Sequence, residues 1–242
     1  MYGANNSGKT LFCNCIYNSL HNKDCNDRVK YKIVLDIDNV FEEKLSYSTD
    51  NVKGERYTLG VDSFPVCPMN IRVLYLAEKQ RLTRDHVSDI SKIYNTNEKT
   101  ILSIMSNKHF KEMSTKRVEI RTIRTKPYLV RKIYISNKKG FLIGLDLCAS
   151  SEVARFLTDI GIILSRFYSY QSMVLFIIDW SNIAVLDDKN MNELVGQLEN
   201  NNNLFQSIIV SPDEMPKICW NGWSFARFQN MVPNTIIEQD EF

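Results

Sequence analysis

Gly3-Ala4-Asn5-Asn6-Ser7-Gly8-Lys9-Thr10 is the stretch on which the reading of this 242-residue chain turns. It fits G-x-x-x-x-G-K-[ST], a loop whose successive backbone N–H groups form a concavity for phosphates at the mouth of a helix. Gly3 and Gly8 permit the tight backbone, and Asn5, Asn6 and Ser7 span the turn between them. Lys9 reaches the β- and γ-phosphates, and Thr10 offers a hydroxyl to Mg2+. Leu11, Phe12, Ile16 and Leu20 follow at helical spacing, and the Asn/Asp-rich stretch from Asn22 to Asp27 ends that helix. An ordinary polar turn before a helix is the competing reading, and the amphipathic run behind the loop weighs against it.

The second half of such a site is an acid at the end of an apolar strand, placed to hold the metal. Met173-Val174-Leu175-Phe176-Ile177-Ile178 is the most apolar strand candidate in the chain and ends at Asp179. An aspartate there can equally start a loop or cap a helix. The two motifs together argue more strongly than either alone.

The rest of the chain supplies a sheet around them. Ile71 to Leu76 is a short apolar run of the kind found in a sheet covered on both faces. The polar Ala77-Glu78-Lys79-Gln80-Arg81 leaves its carboxyl end, where open α/β sheets bind ligands. Ser207 to Val210 is another buried strand candidate. Residues 29–37 and 56–61 read as partner strands of an antiparallel flank, and 118–135 alternates again. Lys138-Lys139-Gly140 makes a turn, and Phe141 to Leu147 reads as one more strand. Helical periods run through 90–94, 101–105, 190–198 and, on one broad stripe, Ser150 to Phe167. The alternation of strands and helices predicts an α/β protein, a mainly parallel, helix-covered sheet with antiparallel additions. Neither an internal repeat nor a linker divides the chain, so 1–242 reads as one domain.

Composition narrows the class. With 44% hydrophobic and 24% charged residues the chain is an ordinary globular protein, and a net charge of +2 gives no whole-molecule field for nucleic acid. No apolar run approaches the roughly 18 to 20 residues that span a bilayer, so no membrane contact and a cytoplasmic location are expected. Six cysteines without C-x-x-C pairing read as reduced thiols. The charge is unevenly spread: eleven lysines and arginines lie in 108–139 against Glu112 and Glu119. Interleaved with Phe110, Tyr128 and Tyr134, they suit a phosphate backbone, although a solvated strand face explains them equally well.

The octet, spelled with Asn5-Asn6-Ser7, resembles the P-loop of ABC-type ATPase heads of the SMC/RecF/OLD kind, particularly the AAA15/AAA21-like ATP-binding proteins of bacterial defence systems. Further stretches carry the resemblance in order. Val73-Leu74-Tyr75-Leu76-Ala77-Glu78-Lys79-Gln80-Arg81 resembles the strand and Q-loop, with Gln80 at the nucleotide. Gly144-Leu145-Asp146-Leu147-Cys148-Ala149-Ser150-Ser151-Glu152-Val153 resembles the family's reduced signature. Leu175 to Asp179 resembles Walker B, and Leu186-Asp187-Asp188-Lys189-Asn190 the D-loop. The resemblance implies a P-loop NTPase head that binds ATP and Mg2+, the metal on Thr10 and Asp179. Two heads would dimerise head to tail, so that Ser150 and Ser151 of one copy face the γ-phosphate held by the other. It further implies a partner effector, nuclease-like, in antiviral defence or DNA maintenance, and makes 82–135 a short basic insert between Q-loop and signature.

Departures from the family pattern matter as much. Trp180 stands where an active head has glutamate, and an indole neither accepts a proton nor polarises water. Glu152 replaces the signature glycine. No histidine follows Ser211-Pro212, and His21, His86 and His109 lie in other segments. Glu78 and Asp187 are the nearest candidates for water activation, and binding is expected to outlast brisk turnover. The family places a strand pair ahead of the loop where this sequence has Met1 and Tyr2, so a fragment or a misplaced start is expected. Two alternatives stay open: a non-hydrolysing nucleotide-sensing scaffold, and a small-molecule P-loop kinase, which the lack of an arginine-rich lid disfavours.

Overall fold

The computed structural model describes residues 2–3, 9–20, 32–38, 44–50, 55–58, 71–77, 82–106, 117–125, 128–137, 139–211, 223–231 and 234–240. At its centre three parallel strands, β5 (Ile71–Leu76), β9 (Met173–Asp179) and β10 (Gln206–Val210), lie in the order β10-β9-β5. Ile177 of β9 pairs with Tyr75 on one side and Ile208 on the other. Both faces of this sheet are covered, which is why β5 and β9 are continuous rather than alternating apolar runs.

Side chains of a strand alternate between faces, and the two faces here carry separate cores. On one, Val73, Tyr75, Leu175, Ile177 and Val210 pack with Cys13 and Ile16 of α1 (Lys9–Leu20). On the other, Leu74, Leu76, Val174, Phe176 and Ile178 pack with α4 (Ser150–Ser169) in the larger core. Burial of each Leu, Ile or Phe there contributes about 1.5–3 kcal/mol. The periodicity of 150–167 predicts a stripe, yet Phe156 through Ser165 are buried without a break. The reason is that α4 packs both on the sheet and against the paired helices α2 (His86–Ile93) and α3 (Glu98–Ser106), whose Val87, Ile90, Tyr94, Ile101 and Ile104 join the same core. Tyr94 donates its hydroxyl to the Leu157 carbonyl at 2.6 Å, and burial pushes that phenol far up.

Among the described residues three further sheets of three strands complete the fold, two antiparallel and one mixed. β6 (Val118–Thr125) and β7 (Tyr128–Ser136) form the hairpin that the alternation predicts, with β8 (Leu142–Gly144) on its far edge. Gly140 turns between β7 and β8 at φ +81, a backbone state that glycine adopts freely. The strand expected over Phe141 to Leu147 covers only β8, because Leu145–Leu147 coils into a 3-10 turn that feeds α4. The flank at 29–61 also differs from expectation. β2 (Lys32–Asp38) pairs with β3 (Lys44–Asp50), and β4 (Glu55–Thr58) pairs with β3 rather than with β2. The polar Lys-Leu-Ser-Tyr-Ser-Thr-Asp of β3 hides its strand character from hydropathy.

The third of these sheets is β1-β11-β12. Tyr2–Gly3, ahead of the loop, pairs in parallel with Arg227 and Phe228 of β11 (Phe225–Met231), itself antiparallel to β12 (Asn234–Asp240). Trp223 packs against the larger core and donates its indole N–H to Glu199 at 2.9 Å, so part of the aromatic carboxyl-terminal stretch is core. The helix expected at 190–198 is α6 (Asp188–Glu199), and a single-turn α5 (Trp180–Ile183) precedes it. Among the described residues no helix is long and apolar enough to cross a membrane, and neither the buried Cys13 nor the half-buried Cys148 is in a disulfide.

Candidate functional site

Lys9 opens α1 and is buried, while Thr10 beside it is exposed. Gly3 sits in β1, paired with Phe228. Asn5, Asn6, Ser7 and Gly8 lie outside the described residues, as do Glu78 and Gln80.

Asp179 is the last residue of β9, opposite Val210. By alternation it shares the face of Leu175 and Ile177, the face that α1 covers. The two halves suggested by the sequence therefore lie on one side of the sheet. Asp179 is only 9% exposed, and its Oδ1 accepts from the Ser181 N–H at 2.9 Å, capping α5. It is thus a helix cap, and a carboxylate has a second oxygen for other use. Carboxylate and hydroxyl are the hard oxygen donors that Mg2+ prefers, and Mg2+ commonly rests on one or two carboxylates plus substrate phosphates. The donor set of Thr10 and Asp179 fits that pattern. Among the described residues no group of three or more His, Cys, Asp or Glu forms a metal cage of its own.

Trp180 turns to the other side and packs against the larger core. Two residues on, Asn182 does something the sequence did not announce. Buried to 5%, it donates from Nδ2 to the carbonyl oxygens of Leu76, at 3.2 Å, and Ala77. The end of β9 is in this way tied to the point where the Q-loop-like segment leaves β5.

On the opposite face of the sheet α4 begins at the signature-like segment. Ala149 is its N-cap residue and has no side-chain acceptor, so neither serine is the cap. Ser150 and Ser151 instead occupy the first helical turn, with Ser150 exposed. Glu152 stabilises the turn by accepting from the Ala149 N–H at 3.3 Å, the returning half of a capping box. A cleft of about 230 Å³ separates this turn from α5, lined by Asp146, Ser150 and Val153 on one side and Ser181, Asn182 and Val185 on the other.

Asp187 caps α6, its Oδ1 accepting from the backbone and side chain of Asn190 at 2.8 and 2.9 Å. Its carboxylate is engaged in that turn. A polar clasp joins α6 to α4 nearby. Arg155 donates from Nε to Asp159 at 2.9 Å and from Nη1 to the Asn190 carbonyl at 2.9 Å, with Glu193 3.6 Å away. Burial raises the Asp159 carboxyl to about 6, against the lowering effect of Arg155.

A group protonated more readily when folded stabilises most at low pH, and that contribution is lost as pH rises from the unfolded value of 3.8 through about 6. By this term alone the folded state should lose about 3 kcal/mol between pH 3.5 and 7. Urea titrations across that range should show the trend in the wild type and a flatter profile in Asp159→Asn. A parallel profile in the variant would reject the assignment.

The basic segment is more neutralised than its sequence suggests. Arg121 pairs with Glu119 at 2.7 Å and stacks on Tyr134, Arg131 bonds Glu98 at 2.5 Å, and Lys132 bonds Asp146 at 2.9 Å. Arg124 and Lys139 remain exposed, while Lys108, Lys111, Lys116, Lys126 and Lys138 lie outside the described residues.

No family model and no curated protein sequence matches the chain. Solved structures do. An SMC head bound to the C-winged helix domain of ScpA superposes with a TM-score of 0.57 at 15% identity, covering 98% of this chain and 88% of that one. An Smc head domain with an extended coiled coil, bound to the C-terminal domain of ScpA derived from Pyrococcus furiosus, is 14% identical with a TM-score of 0.42, over 64% of this chain and 40% of that one. The first of these shows the fold: a mixed α/β fold like that of the SMC head.

Proposed function

We propose that this chain is a nucleotide-binding head, taking ATP with Mg2+ and using it to join two copies rather than to drive rapid turnover. The observation that carries the reading is the position of Asp179, at the carboxyl end of the central parallel strand and on the face covered by the Lys9 helix. Lys9 would pair with the β- and γ-phosphates, the loop N–H groups of 3–8 would cradle them, and Thr10 and Asp179 would hold Mg2+. The metal's contribution is to neutralise charge on the phosphates.

The arrangement of the two faces supports a composite site. Lys9 and Ser150 begin helices that pack on opposite faces of one sheet, which favours their meeting at one phosphate across two copies. A second copy packed head to tail would present Ser150, Ser151 and the positive end of α4 to nucleotide held by the first. In this reading 1–242 is one domain and 82–135 its inserted arm. The joined heads govern a nuclease-like effector in antiviral defence or DNA maintenance.

Turnover is expected to be slow because Trp180 is packed in the core and Asp187 is engaged in a cap. Labelled ATP and Mg2+ with protein in excess provide the test. Retention of uncleaved ATP over many minutes is the expected result. Rapid cleavage would assign water activation to another residue and overturn the slow-turnover reading. No retention at all would overturn nucleotide binding.

A further inference from the structure

Two elements of the segment 82–135, α2 and β7, converge on a single carboxylate just ahead of α4. His86, the first residue of α2, is fully buried. Its Nδ1 accepts from the Ile133 N–H of β7 at 3.0 Å. The ring proton therefore sits on Nε2, which lies 3.6 Å from Asp146 Oδ1. Lys132, also of β7, donates to Asp146 Oδ2 at 2.9 Å. Burial lowers the basicity of His86 and opposes ionisation of Asp146, but Lys132, His86 and a backbone hydrogen bond together outweigh burial at the carboxylate and hold it below its ordinary range.

The neighbours make room for this placement. A Cβ on Gly144 would come within 2.7 Å of Asp146 Oδ1, so glycine is the residue that lets the carboxylate turn toward β7. Asp146 lies within the 3-10 turn Leu145–Leu147, and Cys148 reaches back from that turn with its thiol donating to the Gly144 carbonyl at 3.3 Å. Ala149 and Ser150 follow directly. Anchoring Asp146 therefore fixes the direction in which the chain enters α4.

We propose that Asp146 is a positioning residue, held by Lys132 of the inserted arm with the His86 ring beside it, which sets where Ser150 and Ser151 stand and so couples the arm to the face offered to a second copy. The functional half of this inference rests on the composite site proposed above; the positional half does not. Lys132 and Asp146 are partly exposed, so the grip can be loosened without opening the core. The fully buried His86 ring lies beside the pair, its Nε2 3.6 Å from Asp146 Oδ1.

Amide hydrogen exchange on the full-length protein without nucleotide tests the positional half. In Asp146→Asn and in Lys132→Met, protection at residues 148–153 should fall about tenfold while the central strand β9 keeps its protection, and Lys132→Arg should restore it. Unchanged exchange at 148–153, or a loss shared equally by β9, would overturn the proposal. Sedimentation velocity with a non-hydrolysable ATP analogue and Mg2+ tests the coupling. Nucleotide affinity of each head should stay at the wild-type value in Asp146→Asn, while nucleotide-driven association weakens about tenfold. Wild-type protein that binds the analogue but does not associate would overturn the composite-site reading and the coupling with it. Association in both proteins at equal strength would overturn the coupling alone.

Discussion

Lys9→Ala should abolish retention of ATP, lowering affinity by about 100-fold or more. Lys9 is only 9% exposed at the first position of α1, so a phosphate paired with it would be bound where water screens the charge poorly. Truncating one partner of a buried, hydrogen-bonded charge pair costs about 2–5 kcal/mol, and each 1.4 kcal/mol is about tenfold in affinity. The fold should survive, because the packing of α1 runs through Cys13 and Ile16 and leaves Lys9 at its edge. Equilibrium binding of a fluorescent ATP analogue, with circular dichroism as the folding control, makes the measurement. Wild-type affinity in the variant would mean that the octet is not a phosphate site.

Gly161→Ala should destabilise the protein by about 2 kcal/mol, although alanine is the better helix former by about 1 kcal/mol. A Cβ at that position would lie 2.3 Å from Cζ and 2.8 Å from Cε2 of Phe176, and 3.0 Å from the Tyr94 hydroxyl. None of these neighbours can yield easily. Phe176 is fully buried, tilted against Tyr94 at a ring separation of 6.4 Å and set edge-on to Phe205 at 6.5 Å. The Tyr94 hydroxyl is held by the Leu157 carbonyl. A double-mutant cycle separates overpacking from any backbone effect. In a Phe176→Leu background, which removes the ring atoms concerned and leaves only the looser contact with the Tyr94 hydroxyl, the same Gly161→Ala change should cost much less. An equal loss in both backgrounds would place the cause elsewhere.

Much of the architecture was legible because its signals are local. The loop followed by Leu11, Phe12 and Ile16 predicted α1, the apolar run of Ile71 to Leu76 predicted a strand covered on both faces, the run before Asp179 predicted a strand, and the 3.6-residue period after Ser150 predicted α4. What stayed hidden depends on contacts between distant segments. β3 is too polar for its period to show, since a strand bonded on both edges can be held by its ladder rather than by hydropathy. Asn182 reads as a loop residue until β5 brings the carbonyls of Leu76 and Ala77 to it. Arg155 looks like the polar side of a helix until α6 supplies the Asn190 carbonyl. His86 reads as one histidine in a polar stretch, and only the folding of β7 over it creates its buried environment. Ser150 and Ser151 are residue types that favour caps, yet Ala149 holds the cap position and both serines lie inside the helix.

The central place of β9 bears on how the molecule opens. This strand is bonded to β5 along one edge and β10 along the other, and from Val174 to Asp179 it is buried on both faces. No fraying end and no local excursion reaches its middle amides, so Leu175 through Ile178 exchange with solvent only when the whole domain comes apart. Their exchange rate is thereby a gauge of global stability, readable residue by residue in any variant without denaturant.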